Sequence, residues 1–413
     1  MLKEIGYTTD DSAVWRSVLP IQESVFGSVE FARIVQEYLG CQAGLYVLQN
    51  DGCSIRYPLF FRPVRSLSLS EEDNGRLSDI ASPEFTGPLA RGGPVESLAT
   101  EFPKRFSKFA ISQGIVTEFI HLHPWRAVIG ALFGDCLQLD REIVYADLTR
   151  PEEQLWRSFS HACRKDINRS HRENVRVFEA QTVGDIREFY RVYIQTMKDR
   201  NALERYYFSL NYFLAIFDQL RGNARFALAE YRNQVIAGTL YLHDRDDIYS
   251  YLGGADRTFQ HVRPTNAVIH DTILWSKQQG KKRLILGGGY SPDDGIFRFK
   301  ASFSPERARF FVYKRVHLPE QYAALCKSWS SVYGLDWQAT GYFPPYRFCP
   351  NSQSPQVPVE SPLQVPSSLA SQLPCLRRGP SIREAFCRLH GRMAHELRYR
   401  DLAERPLRPG PLS

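Results

Sequence analysis

The stretch that most constrains the fold is residues 284–303, LILGGGYSPDDGIFRFKASF. Leu284, Ile285 and Leu286 read as a short buried strand, and Gly287, Gly288 and Gly289 after it can take backbone angles that other residues avoid. A short amphipathic segment then presents Phe299 and Lys300. Open amides at the end of a strand, with a lysine close by, suit an anionic group or a developing oxyanion. The same letters also describe an ordinary turn followed by a solvated charge.

Around this stretch the second half of the chain has a readable order. A long helix is expected over 151–174, with Trp156, Phe159, Cys163 and Ile167 as its apolar stripe and Arg164, Lys165, Arg169 and Arg172 on its other faces. A strand (175–180), two helices (183–199 and 206–220) and three strands (225–231, 235–243 and 248–253) follow. The short polar turns between those strands predict an antiparallel meander. A helix over 264–279, the strand at Leu284, a helix near 296–302 and a strand over 308–316 complete the set.

The first half shows a weaker version of the same plan. Helices are expected over 11–19 and 29–39, then a hairpin of strands 44–48 and 54–61 about the Asp51-Gly52 turn. Residues 66–82 read as polar loop, and 83–89 hold too much proline and glycine for regular structure. A helix (94–113) and strands over 115–121 and 143–148 follow, the last expected to close this half.

Two helices, three antiparallel strands, helix, strand, helix, strand is the plan of the GNAT acyltransferase fold, so the expectation is an α/β protein with a mixed sheet and two tandem GNAT-like domains. Their expected extents are 1–149 and 150–318, followed by an extension over 319–349. An ordered series runs along the chain: Pro58 in YPLFFRPV, the EFTGPL run from Glu84, the helix WRSFSHACRKDINRS, YIQTMKDR ending at Arg200, YLGGA from Tyr251, Asn266, Gly280, LILGGG, Phe299-Lys300 and Phe303. On these residues the chain, from about Trp15 to about His317, resembles the FemAB (FemABX) family of aminoacyl and peptidyl transferases and its acyltransferase relatives.

The resemblance implies transfer of an acyl or aminoacyl group to an amine of a cell-envelope, polysaccharide or peptide precursor. The donor would be aminoacyl-tRNA or acyl-CoA, a co-substrate and not a tightly bound cofactor. By the same analogy Lys300 stabilises charge on the donor or the oxyanion, and Phe299 packs beside the reacting centre. Arg200 would hold acceptor phosphate, Tyr206 and Tyr251 would line the acceptor channel, and Arg164, Lys165 and Asn266 are further candidate binding residues. Asp293 and Asp294 are near the lysine in sequence, but adjacent acids in a glycine loop read as turn residues, and no general base is assigned. A non-catalytic module holding a nucleotide-linked ligand between the domains is the alternative.

Two departures bear on the donor. The R/Q-x-x-G-x-G/A loop that cradles pyrophosphate in acetyl-CoA-dependent GNAT proteins is replaced by Arg257 to Asn266, RTFQHVRPTN, which has no glycine. There is also no heptad-patterned insertion like the helical arm of some aminoacyl ligases.

Composition narrows the class. The net charge is +7, and from Leu318 onward eleven Lys and Arg face seven Asp and Glu, so +4 of the excess lies there and the body is nearly balanced. That argues against a surface built to coat nucleic acid. Eight cysteines form no CxxC pair, and no histidine has metal-ligand spacing, so no metal is expected. The N-terminus lacks a signal-like pattern and no stretch is long and apolar enough to span a bilayer, which reads as cytoplasmic. Residues 350–380, rich in Pro, Ser and Gln, are an expected flexible linker. Within the basic tail 381–413, Ile382, Phe386, Leu389, Met393 and Leu397 form a stripe among five arginines over 381–400, a pattern that would let it lie on the inner face of an anionic membrane near a lipid-linked acceptor.

Overall fold

The computed structural model describes residues 2–350 apart from 65–74, 83, 94, 127–132 and 292. The expected linker beyond Pro350 and the basic tail lie outside the described residues. The first half contributes strands β1 (Lys3–Thr8), β2 (Gln42–Gln49), β3 (Cys53–Pro63), β4 (Ser78–Ala81), β5 (Leu89–Gly92), β6 (Ile115–His121) and β7 (Leu137–Asp147), with helices α1 (Ser12–Val18), α2 (Val29–Leu39) and α3 (Glu96–Ser112). The second half contributes α4 (Glu152–Ser158), α5 (His161–Arg172), β8 (Arg176–Glu179), α6 (Val183–Asp199), α7 (Leu210–Gln219), β9 (Ala224–Tyr231), β10 (Gln234–His243), β11 (Asp247–Ala255), α8 (Pro264–Gln278), β12 (Arg283–Gly287), α9 (Gly295–Ala301) and β13 (Arg307–Val316). Helix α10 (Pro319–Tyr333) begins the extension.

All these strands join one sheet in the order β1-β2-β3-β4-β6-β13-β7-β12-β11-β10-β9-β8, with β5 beside β3. The two central strands are exchanged between the halves. β7 pairs antiparallel with β12, Arg283 opposite Asp147, while β13 pairs antiparallel with β6, Val312 opposite His121. They also pair with each other from Arg307–Val144 to Tyr313–Leu137. The strand expected over 143–148 therefore does not close its own half. It starts six residues earlier, and at about 3.3 Å per residue its eleven residues are long enough to border both β12 and β13.

Three further differences from the sequence reading have local causes. β1 had no expected counterpart, and KEIGYT finds its partner only across the sheet in β2. β4 lies inside the expected loop; its polar Ser78 and Asp79 are buried, so alternation does not announce a strand. The helix expected over 151–174 is broken at Phe159. Ser160 caps α5 by accepting from the Cys163 amide at 3.1 Å, and Arg164 folds back to donate to the Trp156, Arg157 and Phe159 carbonyls at the end of α4.

One apolar cluster crosses the boundary between the halves, joining Phe31, Ile34 and Leu45 to Phe189, Phe213 and Leu240. The opposite face of the sheet is covered by α3 in the first half, through Phe102, Phe106 and Phe109, and by α5 and α8 in the second, through Ile167, Ile269 and Ile273. The extension returns to the first half. Tyr346 and Arg347 both donate to the buried Asp79 carboxylate, at 2.6 and 2.7 Å.

A buried ionic network also bolts the halves together. Arg126, in the loop after β6, donates to both oxygens of Asp244 at 2.7 and 2.8 Å, to Asp247 and to the Glu23 carbonyl. Asp244 and Asp247 belong to the second-half hairpin, and their side chains are fully buried. Arg283 also donates to Asp247, while Tyr249 links Asp244 to His123. Arg126→Met would leave the carboxylates short of their principal counter-charge and is expected to destabilise the protein by about 3–5 kcal/mol, read as a lower urea midpoint. Adding Asp244→Asn should recover part of that loss.

Candidate active site

The site starts where two parallel strands part. β11 and β12 are in register only from Asp247–Arg283 to Tyr249–Ile285. Beyond that point β11 continues to Ala255 against β10 alone, while β12 ends at Gly287 against β7. Unpaired backbone groups of both strands thus face a gap, a ready place for a ligand to add hydrogen bonds. Tyr251 is the bulged residue of β11, since Leu240 pairs with Leu252 and Tyr241 with Ser250.

The glycine run is explained by three side chains packed on it. Gly287 has φ of 81°, and a Cβ there would sit 3.3 Å from Lys300 Nζ. A Cβ on Gly288 would meet Arg141 Cδ at 2.8 Å, and one on Gly289 would collide with the Asp294 carboxylate. Asp294 caps α9 by accepting from the Phe297 amide at 2.7 Å and also accepts from Tyr290 and Ser291. It is the turn residue expected from sequence. Lys300, in the last turn of α9, donates to the Gly288 carbonyl at 2.7 Å. Arg141, from the exchanged strand β7, donates to the Gly289 carbonyl at 2.7 Å. No local sequence signal marked Arg141, because its role depends on the strand exchange.

The first half supplies a carboxylate. Thr86 bridges to Leu122, and the Phe85 ring packs on Tyr249 and Phe310 with centroids 5.4 and 5.3 Å apart, which fixes the loop that carries Glu84. Burial pushes the Glu84 carboxyl up to about 7, against the opposing pull of Lys300 and Arg141. Burial likewise lowers the Lys300 ammonium to about 8, although Asp294 and Glu84 favour its charged form. Glu84 also acts electrostatically on Tyr212 and Tyr251, whose hydroxyls are 2.8 Å apart. The EFTGPL run pointed to this loop, but nothing in the sequence showed that Glu84 would face Lys300.

The other expected residues divide. Tyr251 faces the cleft between Tyr212, Phe26 and Phe31. Arg200 caps the end of α6, and its charge acts with that of Arg205 on Tyr290, whose hydroxyl is hydrogen-bonded to Tyr206. These four side chains form a cationic, aromatic rim beside the glycine run. Phe299 packs beneath α9, 5.5 Å from the Phe303 ring, and secures the helix. Asn266 is buried and hydrogen-bonds the Cys163 thiol, which fastens α8 to α5. The Arg164 guanidinium is committed to α4, and Lys165 lies on the exposed face of α5.

The corresponding gap in the first half is sewn shut. β4 and β6 pair from Ser78–Ile115 to Ala81–Phe119, and the Ser82 and Thr86 amides continue the ladder to the Phe119 and His121 carbonyls. Its buried carboxylates are taken: Asp79 by Thr117, Tyr346 and Arg347, and Glu118 by Tyr57 and His317.

Residues 157–301 match the family model described as an acetyltransferase (GNAT) domain. The crystal structure of FemX superposes with a TM-score of 0.59 at 11% identity, covering 78% of this chain and 99% of FemX. The C-terminal domain of a putative lysylphosphatidylglycerol synthetase from Agrobacterium fabrum gives 0.48 at 13% identity, over 79% and 97% of the two chains. A tandem GNAT protein from the clavulanic acid biosynthesis pathway gives 0.43 at 8% identity, over 77% and 99%. No curated protein matches the sequence. Residues 157–301 are thus a GNAT-type acyltransferase domain, and the chain has the mixed α/β fold of two tandem GNAT-like domains. Over most of its length the fold is similar to that of FemX. Among the described residues no helix is long and apolar enough to cross a membrane.

The charge coupling in the cleft can be read without substrate. Lys300 should acylate with acetic anhydride along a titration centred at about 8, followed by mass spectrometry of its peptide. Glu84→Gln removes a negative charge that favours the ammonium, so the midpoint should move lower. A midpoint that stays put would separate the two groups.

Proposed function

We propose that the cleft between β11, β12 and the Glu84 loop transfers an acyl or aminoacyl group from a thioester or ester donor to an amine. The observation that carries this reading is the position of Lys300, a half-buried ammonium at the parting of the two parallel strands. The donor carbonyl lies in the gap with its oxygen toward Lys300, which has one N–H on Gly288 and two left for a developing oxyanion. The acceptor amine attacks the carbonyl carbon and forms the C–N bond. Its surplus proton passes to Glu84, whose affinity near neutrality suits a base that must both take and return a proton. The tetrahedral intermediate collapses, the C–S or C–O bond breaks, and Glu84 returns the proton to the leaving thiolate or alkoxide. The Phe85 loop and the Tyr251 aromatic cluster keep water from competing with the amine.

Arg200, Arg205, Tyr206 and Tyr290 give the rim a chemistry suited to an acceptor with phosphate or carboxylate groups. A sugar-nucleotide, polysaccharide or peptide precursor of the cell envelope has both such a group and an amine. The donor is acyl-CoA or aminoacyl-tRNA.

The assay follows donor consumption with acetyl-CoA or bulk aminoacyl-tRNA and a set of amines that includes UDP-linked muramyl peptides. Lys300→Met should lower kcat by about 10²- to 10³-fold while acceptor binding persists. The base must be deprotonated and the oxyanion donor protonated, so kcat/KM should rise with pH as Glu84 ionises at about 7 and fall as Lys300 loses its proton at about 8. Glu84→Gln should lose the acidic limb. Unchanged turnover in Lys300→Met would remove the lysine from the mechanism. A wild type inert toward every donor would favour a binding module.

A further inference from the structure

A second feature lies on the far side of α5 from the core. Lys165, Arg169 and Arg172 stand at i, i+4 and i+7, on a single helical face, and none forms an ion pair with the described residues. With Arg263 they line a groove of about 560 Å³, bordered also by Ala162, Asp166 and Glu173. Arg263 reaches the groove from a left-handed turn, φ 59°, immediately before α8, and is held to Asp166 at 3.1 Å. Four cations against two carboxylates leave the groove a net +2.

The placement ties the groove to the cleft. α9, which holds Lys300, ends at Ser302, whose carbonyl accepts from the amide of Ser160, the capping residue of α5, at 2.8 Å. At about 1.5 Å per residue, Lys165 lies roughly 7.5 Å along the helix from that bond and Arg172 about 18 Å along it. A lone carboxylate would use one of these charges. A row about 10 Å long suits a group bearing two or more phosphates.

We propose that this groove is a binding site for the phosphate-bearing end of the donor whose carbonyl sits at Lys300, a site built from side chains of α5 and Arg263. The proposal rests on the transferase reading. It also accounts for the glycine-free segment before α8: cationic side chains take the place of a loop of open amides. Arg164, next in sequence to Lys165, is excluded from the site because it is folded onto the end of α4.

The test is binding to the full-length protein at low ionic strength, with CoA, phosphate-free pantetheine and an RNA microhelix ending in CCA as probes. Lys165, Arg169 and Arg172 are exposed or half-buried, and among the described residues their side chains make no hydrogen bond or ion pair, so the triple change to Glu should leave the melting temperature near that of the wild type. Expected is a phosphate-bearing probe that binds at least roughly tenfold more tightly than pantetheine, with the advantage lost in the triple variant and retained in Lys300→Met. Preference for CoA identifies a pyrophosphate donor, and preference for the microhelix a phosphodiester one. Equal binding by wild type and triple variant overturns the proposal, as does the absence of binding by both phosphate probes. Donor turnover in the same samples separates the two readings. Turnover indifferent to the triple change sinks the groove alone, whereas groove-dependent binding without turnover by the wild type sinks the transferase.

Discussion

The structure depends on the exchange of β7 and β13 between its halves. Each half lacks the strand that would finish its own sheet, and each supplies it to the other. Backbone hydrogen bonds then run without a break from β1 to β8, and the interface between the halves becomes the middle of a sheet. The Arg126 network and the shared apolar cluster add to a union that the backbone already enforces. This sets a precision that two loosely tethered domains would not have. Arg141 can reach the Gly289 carbonyl only because β7 lies beside β12.

The chemistry of the cleft follows from putting opposite charges where water is scarce. Burial alone favours a neutral lysine and a neutral carboxylic acid, and each partner charge works against that tendency. Lys300 and Glu84 consequently titrate close together, near neutrality, instead of about six pH units apart as ordinary side chains do. A small change in the electrostatics of a bound substrate would suffice to move a proton between them. The two groups come from opposite halves, so a shift in the packing of the halves would register in both.

Much of this was legible in the sequence where the signal is local. The meander of β9 to β11, the strand at Leu284, the glycine run and the Phe299-Lys300 pair follow from alternation, turn residues and glycine placement. What escaped depends on distant partners. β4 is hidden because its buried Asp79 is satisfied by Thr117 and by Tyr346 and Arg347, more than 260 residues away from it in the latter two cases. Glu84 appeared in a recognisable motif, yet its partner is 216 positions further on, and Arg141 carried no motif at all. Arg164 and Lys165 are neighbours with the same sequence character. The break at Phe159 turns one into a helix cap and leaves the other at the surface.

The exchange of strands also shapes how the chain must reach its native state. β6 waits for β13, nearly 200 residues later in synthesis, and β12 must accept a strand made long before it. Until then β6 and β7 present unpaired edges of the kind that invite pairing with another copy. Such long-range pairings are slow to form, and the halves cannot fold one after the other as separate units. Newly made chains thus have a concentration-dependent hazard absent from the finished protein: the β13 of one molecule can complete the β6 edge of another, and a domain-swapped dimer is the natural product of that mistake.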